Sequence, residues 1–128
     1  MTAKDAAKLC HEAFAKGDVD AIVGIWSPSI IHAVCVETPE IPHSGVHVGV
    51  DAGLAWLGKY AQSGIGYEWV EETCIEVNPN MCFTFAISSY PDGSKGCECM
   101  RWITTEDGKL ISWTCFGNTV KHAAKASA

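Results

Sequence analysis

The stretch at residues 95–118 constrains the fold most, because its sequence is typical of two long β-strands joined by a tight turn. Gly108 lies in the expected turn and is free to take a positive φ. In the first strand, the alternation of side chains puts Glu98, Met100 and Trp102 on one face. A single carboxylate therefore lies in an otherwise apolar row.

The Glu98 side chain can take two orientations. If it points inward, beside Trp102 and Trp113, burial favours the neutral carboxylic acid, which can donate a hydrogen bond near neutral pH. If it points outward, it is an ordinary surface charge paired with Arg101 or a lysine. Its alternation with Met100 and Trp102 supports the inward orientation.

Composition and charge limit the class of protein. The chain has 128 residues and 48% hydrophobic content, enough for one core. We expect one domain at residues 1–118 and a tail at 119–128. A net charge of −6 argues against a nucleic-acid or anionic-membrane partner and favours small molecules or proteins. The polar N-terminus and seven cysteines without a Cys-x-x-Cys pair predict a soluble, cytoplasmic protein with reduced thiols.

The first half of the chain predicts helices around one strand. Apolar spacing indicates a helix at residues 3–16 that ends at Gly17, and Asp18 caps a short second helix that includes Trp26. A buried strand at residues 30–36 and a proline-containing loop follow. A third helix begins near Val50 and ends at residues 63–64.

The second half predicts four antiparallel strands. One continuous strand is expected at residues 66–77, and the next carries Phe85 and Ile87 on one face. In the last strand, Leu110 is expected on the face of Ser112 and Thr114. Helices followed by antiparallel strands indicate an α+β domain with a pocket between sheet and helices.

Several local motifs in this order resemble the nuclear transport factor 2-like superfamily, within it the ketosteroid isomerases and SnoaL-like polyketide cyclases. The resemblance covers about residues 5–118 and rests on Lys16-Gly17-Asp18-Val19-Asp20-Ala21-Ile22, Trp26-Ser27-Pro28, Gly45-x-x-x-Gly49-x-Asp51-Ala52, Met100-Arg101-Trp102 and Asp107-Gly108-Lys109. It implies a cone-shaped α+β fold with three N-terminal helices packed in the concave face of a curved, mostly antiparallel sheet.

The resemblance also implies site residues. Steroid isomerases of this family use a helix-one Tyr, an Asp base after strand one and a protonated Asp on a late strand. Glu98 matches the protonated acid, whereas Cys10 stands at the Tyr position and Val34 or Thr38 at the base position. Two nearby acids are alternative bases, Glu37 and Glu40. The predicted substrate-binding residues are Cys10, Phe14, Trp56, Tyr60, Phe85, Ile87, Met100, Trp102, Trp113 and Cys115.

His32 is the second candidate for proton transfer, because a free imidazole has a pKa of about 6.5. It is either a core residue or a general base that faces Glu98 across the pocket. His43 and His47 lack a helix that would align their rings, so loop solvation explains them better than a metal site. We expect no metal and no cofactor.

Two functions follow from these residues. The first is cofactor-independent acid/base chemistry, meaning isomerisation, cyclisation or dehydration, on a hydrophobic carbonyl compound. The alternative is a non-catalytic ligand-binding or dimerisation module of the same fold. Under either, the face of the last two strands opposite Glu98 is apolar enough for a homodimer, with Cys97, Cys99, Ile103, Thr114 and Phe116 on it.

Overall fold

A computed structural model describes residues 1–34, 41 and 43–116 of the chain. The expected tail at residues 119–128 and the alternative base positions Glu37, Thr38 and Glu40 lie outside these ranges. The helices are α1 (Ala3–Lys16), α2 (Val19–Val23) and α3 (Val50–Gln62), with a 3-10 turn at Glu71–Thr73. The strands are β1 (Trp26–Val34), β2 (Gly45–Val48), β3 (Gly66–Trp69), β4 (Ile75–Asn78), β5 (Met81–Ser89), β6 (Lys95–Thr104) and β7 (Leu110–Phe116).

These strands form one mixed sheet in the order β2-β1-β7-β6-β5-β3, with β4 paired to β5. All pairings are antiparallel except that of β1 with β7. Helix α1 packs on β6, β5 and β3, and α3 packs on β1 and β2. The predicted α+β architecture is confirmed. We call the sheet face that carries Glu98, Met100 and Trp102 the inner face.

Local sequence signals set the ends of α1. Thr2 and Asp5 form a reciprocal capping box at its start, which satisfies backbone N–H groups that the helix leaves unpaired. Gly17 ends it in the left-handed conformation, at φ 71°. Asp18 then accepts a hydrogen bond from the Ala21 N–H and caps α2. The predicted bounds of α1 and the start of α2 are confirmed.

The prediction that Trp26 belongs to the second helix is wrong. Helix α2 ends at Val23, and Trp26 begins β1, where it pairs with Leu110 of β7. The Leu110 N–H also donates to the Ile25 carbonyl at 2.7 Å. Pairing with a distant strand thus overrides the local helical spacing. The register shift between Trp26 and Ile31 accommodates Pro28, which has no N–H for the ladder.

The single strand expected at residues 66–77 is divided into β3 and β4. Between them, the Thr73 hydroxyl and N–H both bond to the Val70 carbonyl and close the 3-10 turn. As a result, β3 and β4 pair with different halves of β5. The expected face of Leu110 is also wrong. An irregularity between Ile103 and Thr104 shifts the β6–β7 register, and Leu110 is completely buried in the core.

Stacked aromatic rings fill the centre of the core. Trp102 and Trp113 are register partners on β6 and β7, with ring centroids 4.5 Å apart and planes 26° apart. Trp56 of α3 meets Trp113 edge-on at 5.1 Å. The centroid of the His32 ring on β1 lies 4.5 Å from the ring centroids of both Trp26 and Trp56. The core therefore joins β1, β6, β7 and α3 through aromatic contacts.

The His32 imidazole is enclosed by these tryptophans. Its side chain has no exposed surface, and neither ring nitrogen has a hydrogen-bond partner in the described part of the chain. Burial, with a smaller contribution from the charge of His47, lowers the pKa of His32 to about 3. The folded chain thus holds this ring neutral.

Gly53 allows α3 to approach the His32 ring. A Cβ atom at this position would lie 2.9 Å from His32 Cε1 and 3.0 Å from Trp26 Cζ3. At Gly58, five residues later, a Cβ atom would meet nothing within 4 Å. The two glycines of the same helix therefore differ in the space around them.

We expect acid to destabilise the fold through His32. In the unfolded chain this residue takes up a proton near pH 6.5, whereas in the folded chain it does so only near pH 3. Between these values the unfolded state binds more protons, so the free energy of unfolding falls as pH falls, by at most about 1.4 kcal/mol per pH unit for one group. Urea titrations at several pH values should show that the free energy of unfolding depends less steeply on pH in His32→Phe than in the wild type. Equal slopes would contradict this role, and Lys59→Gln, at an exposed position of α3, is the control.

Alanine at the two α3 glycines should act in opposite directions. Gly58→Ala should raise the free energy of unfolding by about 0.5–1 kcal/mol, since alanine is the better helix former and the site is open. Gly53→Ala should lower it by about 1–3 kcal/mol, because the new methyl group crowds the rigid His32 and Trp26 rings. Denaturant unfolding measures both. Stabilisation by Gly53→Ala would contradict the close packing of α3 on the His32 and Trp26 rings.

Candidate functional site

Glu98 is the buried carboxyl of the inner face. Its side chain belongs to β6 and is 1% exposed, on the same side as Met100 and Trp102. Ala86 of β5 is its register partner, and that small side chain leaves room beside it. The structure thus gives Glu98 the inward orientation. Burial of a carboxyl group costs much less in its neutral form than in its charged form.

Three tyrosines lie close enough to Glu98 to interact with it electrostatically. Tyr60 of α3 and Tyr67 of β3 stack with centroids 5.2 Å apart, and the Tyr90 hydroxyl accepts a hydrogen bond from Ser88 at 3.3 Å. Burial raises the pKa of all three phenols, and the charge of Glu98 acts in the same direction on each. Each therefore remains a protonated hydroxyl near neutral pH. We call Glu98, Tyr60, Tyr67 and Tyr90 the polar corner.

His43 packs against the polar corner. Its side chain is 1% exposed, and its ring meets Tyr60 edge-on with centroids 4.9 Å apart. The prediction that loop solvation explains this residue is therefore wrong for His43. A loop residue leaves no periodic signal from which the sequence could have placed it, and the apolar Ile41, two residues earlier, is buried as well.

His32 lies in a different neighbourhood from the polar corner. Its ring contacts are with Trp26, Trp56 and Trp113. With a pKa of about 3, it is a weak proton acceptor near neutral pH. Of the two interpretations left open by the sequence, these contacts favour the core histidine.

Phe85 and Ile87 are not on the inner face, and their assignment to the pocket wall is wrong. They pair with Cys99 and Cys97 of β6, and directly paired residues of an antiparallel ladder point to the same side. Both side chains therefore lie on the outer face. Small side chains take the inner positions of β5 instead, namely Cys82, Thr84, Ala86 and Ser88. Their size leaves room for α1 and Trp102.

The other predicted substrate-binding residues lie in or against the core. Cys10 has no exposed surface, and burial raises the pKa of its thiol to about 12, so it is not a reactive thiolate. Phe14 is half-buried, with its ring edge-on to Tyr60 at 4.9 Å. The remaining members are at most 4% exposed: Trp56, Tyr60, Met100, Trp102, Trp113 and Cys115.

His11 is a polar contact of the inner face that the sequence analysis missed. Its Nε2 atom lies 3.2 Å from the Thr84 hydroxyl, which also accepts a hydrogen bond from Trp102 Nε1 at 2.8 Å. The ring stacks on Trp69 at 5.4 Å, and burial lowers the pKa of His11 to about 4. Its position four residues after Ala7, on the buried stripe of α1, is the signal that could have revealed it.

Two further properties of the described residues bear on function. No group of three or more His, Cys, Asp or Glu side chains in this part of the chain could hold a metal ion. No helix within residues 1–34 and 43–116 is long and apolar enough to cross a membrane.

Comparison with known proteins rests on structure, since no family model and no curated protein matches the sequence. An NTF2-like protein of unknown function from Burkholderia pseudomallei has a TM-score of 0.83 at 12% identity, with 100% of both chains covered. TerC, co-crystallised with polyporic acid, has a TM-score of 0.81 at 14% identity, with 97% of each chain covered. The epoxide hydrolase/cyclase-like enzyme SalBIII, described in pyran ring formation in polyether salinomycin, has a TM-score of 0.73 at 15% identity, with 92% of each chain covered.

At these identities the likeness establishes the fold and leaves the activity open. It agrees with the helices packed on a mixed, open and mostly antiparallel sheet, and with the fold that the sequence resemblance implies. The chain therefore has the nuclear transport factor 2-like α+β cone fold.

Proposed function

We propose that the chain binds a flat, hydrophobic carbonyl compound on the inner face and catalyses its isomerisation, cyclisation or dehydration without a cofactor. The observation that carries this proposal is the polar corner. A carboxyl group that is 1% exposed lies beside protonated phenols, at the edge of a core made of aromatic rings.

Hydrogen-bond donation to the carbonyl oxygen is the first element of the mechanism. The proposal requires Glu98 to donate one hydrogen bond in its protonated form, with the hydroxyls of Tyr60 and Tyr67 as further donors. Fixed donors in a dry site stabilise the negative charge that develops on the oxygen when a neighbouring carbon loses a proton. One such donor is typically worth about 2.7–4 kcal/mol of the barrier.

Proton removal from that carbon is the second element. The described residues favour His43 for this role over His32, since the His43 ring touches Tyr60 within the polar corner whereas His32 is enclosed by tryptophans. A base must reach the carbon next to the carbonyl group that the acid holds. His43 meets this requirement better because it shares Tyr60 with the acid.

The apolar walls supply ring contacts and exclude water. Trp102 and Trp113 present stacked faces next to the polar corner, and Tyr60 lies 6.4 Å from Trp113. Two structural neighbours support this ligand class: TerC was co-crystallised with polyporic acid, and SalBIII is an epoxide hydrolase/cyclase-like enzyme of pyran ring formation.

A non-catalytic ligand-binding or dimerisation module is the second candidate function, and a specific observation favours it. His32, Trp56, Trp102 and Trp113 are at most 2% exposed and pack against one another, so they fill part of the inner face themselves. Cys10 and Val34 or Thr38 also stand where the related steroid isomerases have Tyr and Asp. This candidate predicts binding or dimerisation without turnover.

We also propose a homodimer formed through the outer face of the sheet. Large apolar side chains on this face are exposed within one chain: Ile31 at 36%, Val46 at 68%, Val48 at 62%, Ile87 at 36% and Phe116 at 38%. The pairing of Ile31 with Val48 continues this apolar surface from β1 onto β2. A sheet face of this kind is stabilised when a second copy covers it.

Replacement of Glu98 tests the catalytic proposal. The probe is 2-tetralone, a flat ketone with acidic hydrogens next to its carbonyl group, and the readout is exchange of these hydrogens for deuterium by NMR. Glu98→Gln should slow exchange by roughly 10²–10³-fold, since the amide is a poorer donor to the developing oxyanion. His43→Gln should also slow it. The exposed Glu106→Gln on the β6–β7 turn is the matched control.

The same experiment separates the two candidate functions. Exchange by the wild type that Glu98→Gln leaves unchanged would contradict the role of Glu98. Stabilisation of the wild type by 2-tetralone in a thermal-shift assay, without any exchange, would favour the non-catalytic module.

A charge on the outer face should dissociate the dimer. Ile87→Asp places a carboxylate in the proposed interface, and light scattering after size-exclusion chromatography should change from dimer to monomer. Val19→Asp, on the exposed side of α2, introduces the same charge elsewhere and should remain dimeric. A monomeric wild type would refute the homodimer.

A further inference from the structure

A cavity of about 320 Å³ lies between the elbow of α1 and α2 and one side of α3. Its lining includes Phe14 of α1, Ile22 of α2 and Leu54, Leu57 and Gly58 of α3. Nothing in the function proposed above uses this space. Its volume is at the lower end of the range of small-molecule sites.

The lining restricts the chemistry of an occupant. Every residue that lines the cavity is apolar or glycine, and none carries a charge. A charged or strongly polar group would lose its hydration there without gaining a partner. An alkyl chain or small hydrocarbon ring would instead bury apolar surface against Ile22 and Leu57, which belong to the hydrophobic core.

Phe14 connects the cavity to the polar corner. Its half-buried ring lines the cavity and also meets the Tyr60 ring edge-on at 4.9 Å. Tyr60 in turn stacks on Tyr67, and the charge of Glu98 acts on both phenols. The Phe14 and Tyr60 rings thus link the apolar cavity to the proposed acid.

We propose that the cavity holds the apolar tail of the substrate while the carbonyl group occupies the polar corner. The inference rests on the function proposed above and narrows the substrate class to ketones that carry a neutral alkyl or alicyclic substituent several carbons from the reacting group. The tail enters by displacing the Phe14 ring. The cavity then selects substrates by tail length, and a charged tail is rejected.

Gly58 offers a direct way to fill the cavity. A Cβ atom there meets nothing within 4 Å, so the side chain of Gly58→Leu has room on the cavity side and suits the helix better than glycine. Ala55→Leu adds a leucine at an exposed position of the same helix, outside the lining, and is the matched control.

The experiment compares two probes, 2-tetralone and 6-hexyl-2-tetralone, by isothermal titration calorimetry. In the wild type, the hexyl tail should tighten binding by about fourfold for each methylene that becomes buried. Gly58→Leu should bring the ratio of the two dissociation constants close to one, whereas Ala55→Leu should retain the wild-type ratio. A melting temperature of Gly58→Leu no lower than that of the wild type shows that the fold is intact.

Two outcomes overturn the inference: a hexyl tail that gives the wild type no added affinity, and an added affinity that survives in Gly58→Leu. Failure of the proposed function looks different. Suppose that Glu98→Gln matches the wild type in binding and exchange of 2-tetralone, while the affinity added by the hexyl tail is still lost in Gly58→Leu. The cavity assignment is then supported and the proposed role of Glu98 is wrong.

Discussion

The pairing of β6 with β7 is the constraint on which the other parts of the structure depend. It places Trp102 directly beside Trp113, and the two stacked rings provide the surface on which Trp56 of α3 and His32 of β1 pack. Helix α3 can approach only because Gly53 has no side chain. In this way one cross-strand pair positions α3 and β1 against the inner face.

Glu98 is the exception in this apolar arrangement. A carboxyl group within an aromatic core lowers stability unless its environment keeps it neutral or hydrogen-bonded. The tyrosines and His43 are further polar groups at the same end of the core. Polar groups concentrated in one corner of an otherwise apolar interior are typical of binding and catalytic sites, where stability is given up for function.

Sequence patterns predicted much of this fold because local signals and tertiary pairing agree at most positions. The capping box and Gly17 define α1, and strict alternation puts Glu98 inside. Prediction failed where distant pairing decides the outcome. Trp26 has helical spacing but pairs with Leu110, and both faces of β5 are apolar enough that alternation could not tell whether Phe85 or Thr84 points inward. The partners of His43 could not be predicted, because contacts between a loop and a distant helix leave no periodic signal.

The central claim is that Glu98 holds the oxygen of a bound ketone. A crystal structure of the chain with 2-tetralone tests it most directly. If the claim is correct, the ketone oxygen will lie within hydrogen-bond distance of the Glu98 carboxyl, with the ring against Trp102 or Trp113. A ketone bound elsewhere, with the polar corner still closed by Tyr60 and Tyr67, would contradict it and leave the non-catalytic module as the better account.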